Sequence, residues 1–285
     1  MKKPDASHAK RWVTGLVLAP LLIVTILASA NWFFALFICA VCCVALYEYY
    51  RIALHVSGTS FFTVIPMAGC GTGAAIVLSA IWGRFDVICA LVSCLFIFSG
   101  AGALSQYKRR PDAMNRVVMQ VIAMVYLALP LAFLVMLHQD PRGNTWILMM
   151  FFLVFCGDIG AYYAGTFFGR HKLIPEVSPG KTIEGAFGGM TATVGIGCLI
   201  NLALPFLPWG MDMPRFPWVM APLFFVVVSI CGQAGDLFES LLKREAGLKD
   251  SGVIFPGHGG LLDRVDAVLF AIPIVYLFKE FVFVS

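Results

Sequence analysis

The chain has 285 residues, of which 60% are hydrophobic and only 13% charged, against about 25% charged residues in a typical soluble domain. With a mean hydropathy of +0.88, it cannot cover a water-facing surface and is read as an integral membrane protein. The formal net charge of +4 comes without aromatic–basic interleaving or a binding motif, which argues against a nucleic-acid partner.

A helix needs about 20 apolar residues to cross the hydrocarbon. Nine segments meet that length: Trp12–Ser29, Trp32–Tyr50, Ser60–Trp82, Phe85–Leu104, Val117–Leu137, Trp146–Phe168, Ala186–Leu207, Trp218–Leu237 and Val265–Val284. The expected fold class is therefore an all-α polytopic membrane protein. The first two segments form a hairpin around Ala30-Asn31, with no small-residue cleavage site between them, so the first is expected to be a retained span. The eighth is expected to continue as a helix through Glu239 to Lys243. Residues 1–140 hold about five spans. Residues 141–285 hold about four, with the hydrophilic loops Gly169–Gly185 and Glu239–Arg264.

Lysine and arginine favour the cytoplasmic side. With the N-terminus inside, nine spans put 16 of the 20 basic residues on the cytoplasmic face, leaving Arg84, Arg142, Arg215 and Lys279 opposite. The C-terminus is then expected on the far face. The nine cysteines sit in or beside apolar runs and are read as small hydrophobes. Cys39-x-x-Cys42 has the spacing of a redox or metal pair, but no second Cys or His pair flanks it.

Charge inside a membrane is expensive and usually lines a functional cavity. Asp158 lies in the sixth segment, Asp236 near the end of the eighth, and Asp263 and Asp266 open the ninth. Acids at similar depth repel one another unless cations join them, and Mg²⁺ prefers carboxylate oxygens while sharing its shell with substrate phosphates. Lys181, Lys243, Arg244, Lys249 and Arg264 are interleaved with these acids, as a polyphosphate substrate requires. Gly257-His258-Gly259-Gly260 offers backbone approach to a phosphate. Ser178-Pro179-Gly180-Lys181-Thr182 offers hydroxyls, an amine and a helix N-terminus before Ile183. It is not a P-loop, because the first glycine and its spacing are missing.

Blander readings stand beside these. Asp158 could be a structural hydrogen-bonder, Asp236 a solvated boundary residue, and Lys243-Arg244 ordinary inside-positive charge. Glu48 is read as structural, pairing with Arg51 or capping the interface.

Taken together, Ser240-x-x-Lys243-Arg244, Lys249-Asp250 and Pro256-x-His258-Gly259-Gly260-x-x-Asp263-Arg264-x-Asp266 resemble the signature of the bacterial-type phosphatidate cytidylyltransferase family. Ser178-Pro179-x-Lys181-Thr182-x-Glu184-Gly185, Gly157-Asp158 and Gly235-Asp236 resemble further motifs of that family. The motifs cover the C-terminal half; the N-terminal half agrees only in hydropathy. The resemblance implies a homodimer in the bacterial cytoplasmic (inner) membrane, with its active site facing the cytoplasm. The implied substrates are CTP and phosphatidic acid, drawn from the membrane lipid. The implied cofactor is Mg²⁺, with a second cation that is K⁺ or another Mg²⁺.

By carry-over, Asp236 and Asp263 are the expected metal ligands, with Asp158 and Asp266 as weaker candidates. Lys243, Arg264 and Asp266 join Asp236 and Asp263 as catalytic residues. Ser178, Lys181, Thr182, Ser240, Arg244, Lys249, Asp250, His258, Gly259 and Gly260 are expected to bind substrate phosphates. The expected reaction is direct attack of the lipid phosphate on the α-phosphorus of CTP, releasing pyrophosphate. Rival readings are a cation or lipid transporter, another lipid–nucleotide enzyme such as a polyprenol kinase, and a catalytically inactive relative.

Overall fold

The computed structural model describes residues 20–28, 30–54, 64–108, 111–203, 206, 216–252 and 259–282. The chain divides into two compact units, one of residues 1–139 and 245–264, the other of residues 140–244 and 265–285.

In the first unit, residues 20–28 are helical and four long helices follow: α1 (Asn31–Ala53), α2 (Val64–Ser79, tightening into a 3₁₀ turn at Ala80–Trp82), α3 (Phe85–Gln106) and α4 (Ala113–His138). α1 buries Phe34, Ile38, Leu46, Tyr49 and Tyr50. α2 meets that face through glycines, since a Cβ at Gly73 would lie 2.5 Å from Leu46 Cδ1 and one at Gly69 would overlap the Tyr50 hydroxyl. Gly83, at φ 62°, turns the chain out of the 3₁₀ segment in a left-handed conformation that a Cβ disfavours. α4 contains a π-helical turn at Met124–Ala128 just before Pro130. Proline has no N–H and crowds the carbonyl four residues back, so the ladder widens there. At the end of α4, His138 stacks on Phe34 at 3.9 Å and bridges Asn31 Oδ1 and the Ile26 carbonyl, each at 3.1 Å. α3 is the least covered helix, burying only Ile88 and Leu95, as a lipid-facing element would.

In the second unit, α5 (Gly143–Phe168) leads into a small antiparallel hairpin, β1 (Lys172–Ile174) and β2 (Ser178–Thr182). α6 (Ile183–Ala203) follows directly, and then come α7 (Met220–Glu245) and α8 (Leu262–Phe281). α7 ends at the division between units, and α8 crosses it in its first turn.

α5 and α6 pack backbone to backbone along a glycine seam. A Cβ at Gly157 would lie 2.6 Å from Thr193 Oγ1, and one at Gly189 2.8 Å from the Gly157 carbonyl. One at Gly160 would lie 3.1 Å from the Gly188 carbonyl. Helices in lipid gain little from apolar burial against each other, and small residues let dispersion and close approach hold them together. Trp146, Phe216, Phe224 and Phe225 form an aromatic cluster with centroids 5.1–6.0 Å apart. The Asn201 amide clamps Phe216 by accepting from its N–H and donating to its carbonyl, both at 3.1 Å.

Among the described residues, seven helices are long and apolar enough to cross a membrane, α1 to α7. α8 occupies the ninth expected segment but carries Asp263, Arg264, Asp266, Lys279 and Glu280, and is less apolar for that reason. Of the first expected span, Trp12–Ser29, only residues 20–28 are described. Hydropathy did not suggest the β1–β2 hairpin, which lies in the expected loop Gly169–Gly185.

Candidate active site

In the second unit the glycine seam brings the end of β2 beside α5, and α7 supplies Asp236. Lys181 Nζ lies 2.5 Å from Asp236 Oδ2, with both side chains partly exposed. Asp158 interacts electrostatically with both of them. Asp266, on α8 and almost fully buried, interacts with Asp236, Lys243 and Asp158. Its Oδ1 also accepts the Ala267 N–H at 2.8 Å. Asp158 lines a small pocket together with Val154, Gly157, Thr193, Val228, Ser229, Gly232 and Gln233. The close approach of α8 to α7 depends on Gly235, where a Cβ would collide with the Asp266 carbonyl and lie 3.1 Å from Phe270 Cβ.

The hairpin is tied down on both sides. Arg244 Nε donates to the Val177 carbonyl at 3.1 Å, and Lys172 Nζ to the Pro179 carbonyl at 2.7 Å. Glu184, in the first turn of α6, accepts the Arg170 N–H at 3.0 Å and pairs with His171 Nδ1 at 2.6 Å. The Thr182 hydroxyl accepts the Gly185 N–H at 3.1 Å and is buried, which is the geometry of an N-cap. Thr182 therefore holds the start of α6. Lys243 makes an ion pair with Glu239 at 2.5 Å, with Glu239 1% exposed. Ser178 and Ser240 are half-buried.

In the first unit the second half of the long motif is folded around carboxylates. Asp263 Oδ2 accepts three hydrogen bonds, from Ser251 N at 3.0 Å, Ser251 Oγ at 2.9 Å and Gly260 N at 2.8 Å. Gly259 sits at φ 81°, where a Cβ would be strained and would lie 2.7 Å from Asp263 Oδ2. Lys249, Asp250 and Arg264 are exposed. His258 lies outside the described residues.

Among the described residues, no three His, Cys, Asp or Glu side chains come together as a metal cage. Mg²⁺ does not need one, because it is usually held by one or two carboxylates and completed by water and phosphate oxygens. Asp236, half-buried, already in contact with an ammonium and beside the Asp158 charge, fits that demand.

A model of the cytidylyltransferase family matches residues 9–282. The chain belongs to the cytidylyltransferase family. Within it, the chain is 44% identical over 140 residues to the phosphatidate cytidylyltransferase of Brucella suis, covering 49% of this chain and 48% of that protein. It is 39% identical over 145 residues to that of Staphylococcus epidermidis, covering 51% and 53%. It is 36% identical over 156 residues to that of Bacillus subtilis, covering 54% and 55%. The chain thus spans about half the length of the curated relatives it matches.

Two acids of this chain have partners that the sequence does not reveal. From the sequence Glu239 reads only as a helix continuation, although its spacing of four from Lys243 is the ion-pair spacing of a helix face. Glu48 was read as structural, paired with Arg51 or at the interface. It is instead fully buried and bonded to the motif turn, while Arg51 sits over the Tyr47 ring at 5.8 Å. The available signal was a carboxylate within an apolar span.

Proposed function

We propose that this member of the cytidylyltransferase family is a phosphatidate cytidylyltransferase, transferring CMP from CTP to phosphatidic acid to give CDP-diacylglycerol and pyrophosphate. The observation that carries the reading is the contact of Lys181 with Asp236 beside Asp158. It joins two separate sequence motifs into one site of mixed charge. Attack by one phosphate on another is opposed by repulsion between anions, and a site of ammonium groups and metal-binding carboxylates lowers that barrier. A phosphate monoester already carries nearly two negative charges near neutral pH, so no strong general base is needed.

Lys181, Lys243, Arg244, Lys249 and Arg264 hold phosphates. Ser178 and Ser240 donate hydrogen bonds to them, and the Gly259-Gly260 backbone approaches them. The motif makes Asp236 and Asp263 the Mg²⁺ ligands, with Asp158 and Asp266 supporting. When bound, Mg²⁺ would neutralise phosphate charge and polarise the phosphorus centre. The resemblance extends to a second cation, K⁺ or another Mg²⁺, and to a homodimer.

The charge distribution supports nine spans in a bacterial inner membrane, with the N-terminus and the active site cytoplasmic and the C-terminus opposite. The curated relatives' names support the choice of lipid acceptor. The test is purified protein in detergent micelles with phosphatidic acid and CTP labelled at the α-phosphorus, with and without Mg²⁺. Magnesium-dependent labelled CDP-diacylglycerol, with no acid-stable label on the protein, is expected. Label trapped on the protein would overturn direct transfer. Transfer only to a different lipid acceptor would overturn the substrate.

A further inference from the structure

Glu48 is fully buried in α1, more than 200 positions before the motif turn to which it is bonded. Its Oε1 accepts the Leu261 N–H at 3.1 Å, and its Oε2 accepts the Leu262 N–H at 2.8 Å and the Ser251 hydroxyl at 3.1 Å. The carboxylate therefore takes the N–H groups of Leu261, just before α8, and of Leu262, its first residue, donors that a helix start leaves unpaired and that attract negative charge.

Two glycines, Gly252 and the motif residue Gly260, leave room for it. A Cβ at Gly260 would lie 2.5 Å from Glu48 Oε2 and 2.6 Å from Oε1, and one at Gly252 would lie 2.8 Å from its Cδ. Glycine at these positions leaves the space in which the carboxylate stands. The Ser251 hydroxyl is within reach of Glu48 Oε2 at 3.1 Å and of Asp263 Oδ2 at 2.9 Å. A hydroxyl has one hydrogen to donate, so the two acids share it. Asp263 Oδ2 also takes the Gly260 N–H, whose neighbour in sequence is held by Glu48.

We infer that Glu48 is a positioning residue for the reaction, its carboxylate setting the orientation of Asp263 through Ser251 and the Gly260–Leu262 backbone. An uncharged cap would satisfy the helix end. What the carboxylate adds is a fork that fixes three donors at once, and with them the turn that aims Asp263. Residues that orient a metal-ligating side chain typically contribute about 10- to 100-fold in metal affinity or activity. The inference rests on the proposed function for its kinetic consequence, but not for the contact itself.

The experiment uses the full chain in detergent micelles, comparing wild type, Glu48→Gln and Ser251→Ala. Glu48→Gln keeps the shape but turns an amide NH₂ toward backbone donors. It is expected to lower kcat by about 10- to 100-fold, to raise the Mg²⁺ concentration at half-maximal rate, and to leave KM for CTP unchanged. Ser251→Ala is expected to move the same quantities in the same direction, by less.

Amide hydrogen exchange without substrate or metal gives an independent readout, with faster exchange at Leu261 and Leu262 in Glu48→Gln. A purely structural cap would speed exchange and lower thermal stability. It would leave turnover per folded molecule and its Mg²⁺ dependence at wild-type values, and that outcome overturns the inference. If Glu48→Gln does not fold, Ser251→Ala decides, and wild-type kinetics there overturn it equally. If wild type makes no CDP-diacylglycerol, the proposed function fails, and unchanged exchange at Leu261 and Leu262 would still count against the contact.

Discussion

Gly188 and Gly195 lie on the same helix, α6, two turns apart, and replacing each by alanine isolates the energy of the glycine seam. A Cβ at Gly188 would collide with the Ala164 side chain and lie 3.3 Å from the Gly160 carbonyl, whereas one at Gly195 meets nothing within 4 Å. Both substitutions gain about 1 kcal/mol of helix propensity. Only Gly188→Ala adds overpacking, which costs about 1–3 kcal/mol where neighbours cannot yield. Both neighbours belong to α5 and the Gly160 contact is to backbone, so the upper half of that range applies. Gly195→Ala is therefore expected to be neutral or stabilising, and Gly188→Ala to be less stable than it by about 2–3 kcal/mol. At about 2–4 °C per kcal/mol, a thermal series in detergent followed by size-exclusion chromatography should separate the two by several degrees. Equal shifts would refute the claim that close approach of α5 and α6 holds this unit together.

Lys181→Ala should change stability by under about 1 kcal/mol, since the pair with Asp236 is partly exposed. It should lower kcat/KM by about 10- to 100-fold, as loss of a charged hydrogen bond to phosphate implies; unchanged kinetics would remove Lys181 from the site. Glu239→Gln should destabilise by about 1.5–3 kcal/mol, because the fully buried Glu239 carboxylate loses its charged contact with Lys243. A Glu239→Gln/Lys243→Met double variant should recover part of that in thermal unfolding, and strictly additive losses would contradict the pair. Burial opposes ionisation of Asp140, yet the Lys279 ammonium and the Arg142 N–H outweigh it and hold its carboxyl below the ordinary value. A lowered folded-state pKa stabilises above the unfolded value and is lost as pH falls through the folded one. The melting difference between wild type and Asp140→Asn should thus be full at neutral pH and fade in acid; a constant difference would refute it.

The helical segments were legible because a run of about 20 apolar residues has few alternatives, and seven of the nine meet the membrane criterion in place. The pairing of Lys181 with the acids was legible in kind, since interleaved charge at membrane depth has to be compensated. The partner Asp236 was not, because it depends on how α6 and α7 are brought together. The glycine seam was also hidden. Gly157, Gly160 and Gly165 read as motif or filler until their spacing is set against Gly185, Gly188 and Gly189 on the facing helix. Thr182 was read as a phosphate donor because it lies next to Lys181, and its role as the α6 cap follows only from where the helix begins. The partners of Glu48 were hidden for a related reason: the groups that satisfy it are some 200 residues away in sequence, and no local pattern points to them.

In the proposed reaction the motif carboxylates of this chain drive transfer of CMP to phosphatidic acid. The most direct measurement compares labelled CDP-diacylglycerol formation by wild type, Asp236→Asn and Asp263→Asn, each purified in micelles and shown to be folded by its melting profile. Magnesium-dependent product is expected from wild type, with loss of it in both variants at unchanged fold. Product formed by either folded variant at the wild-type rate would contradict it.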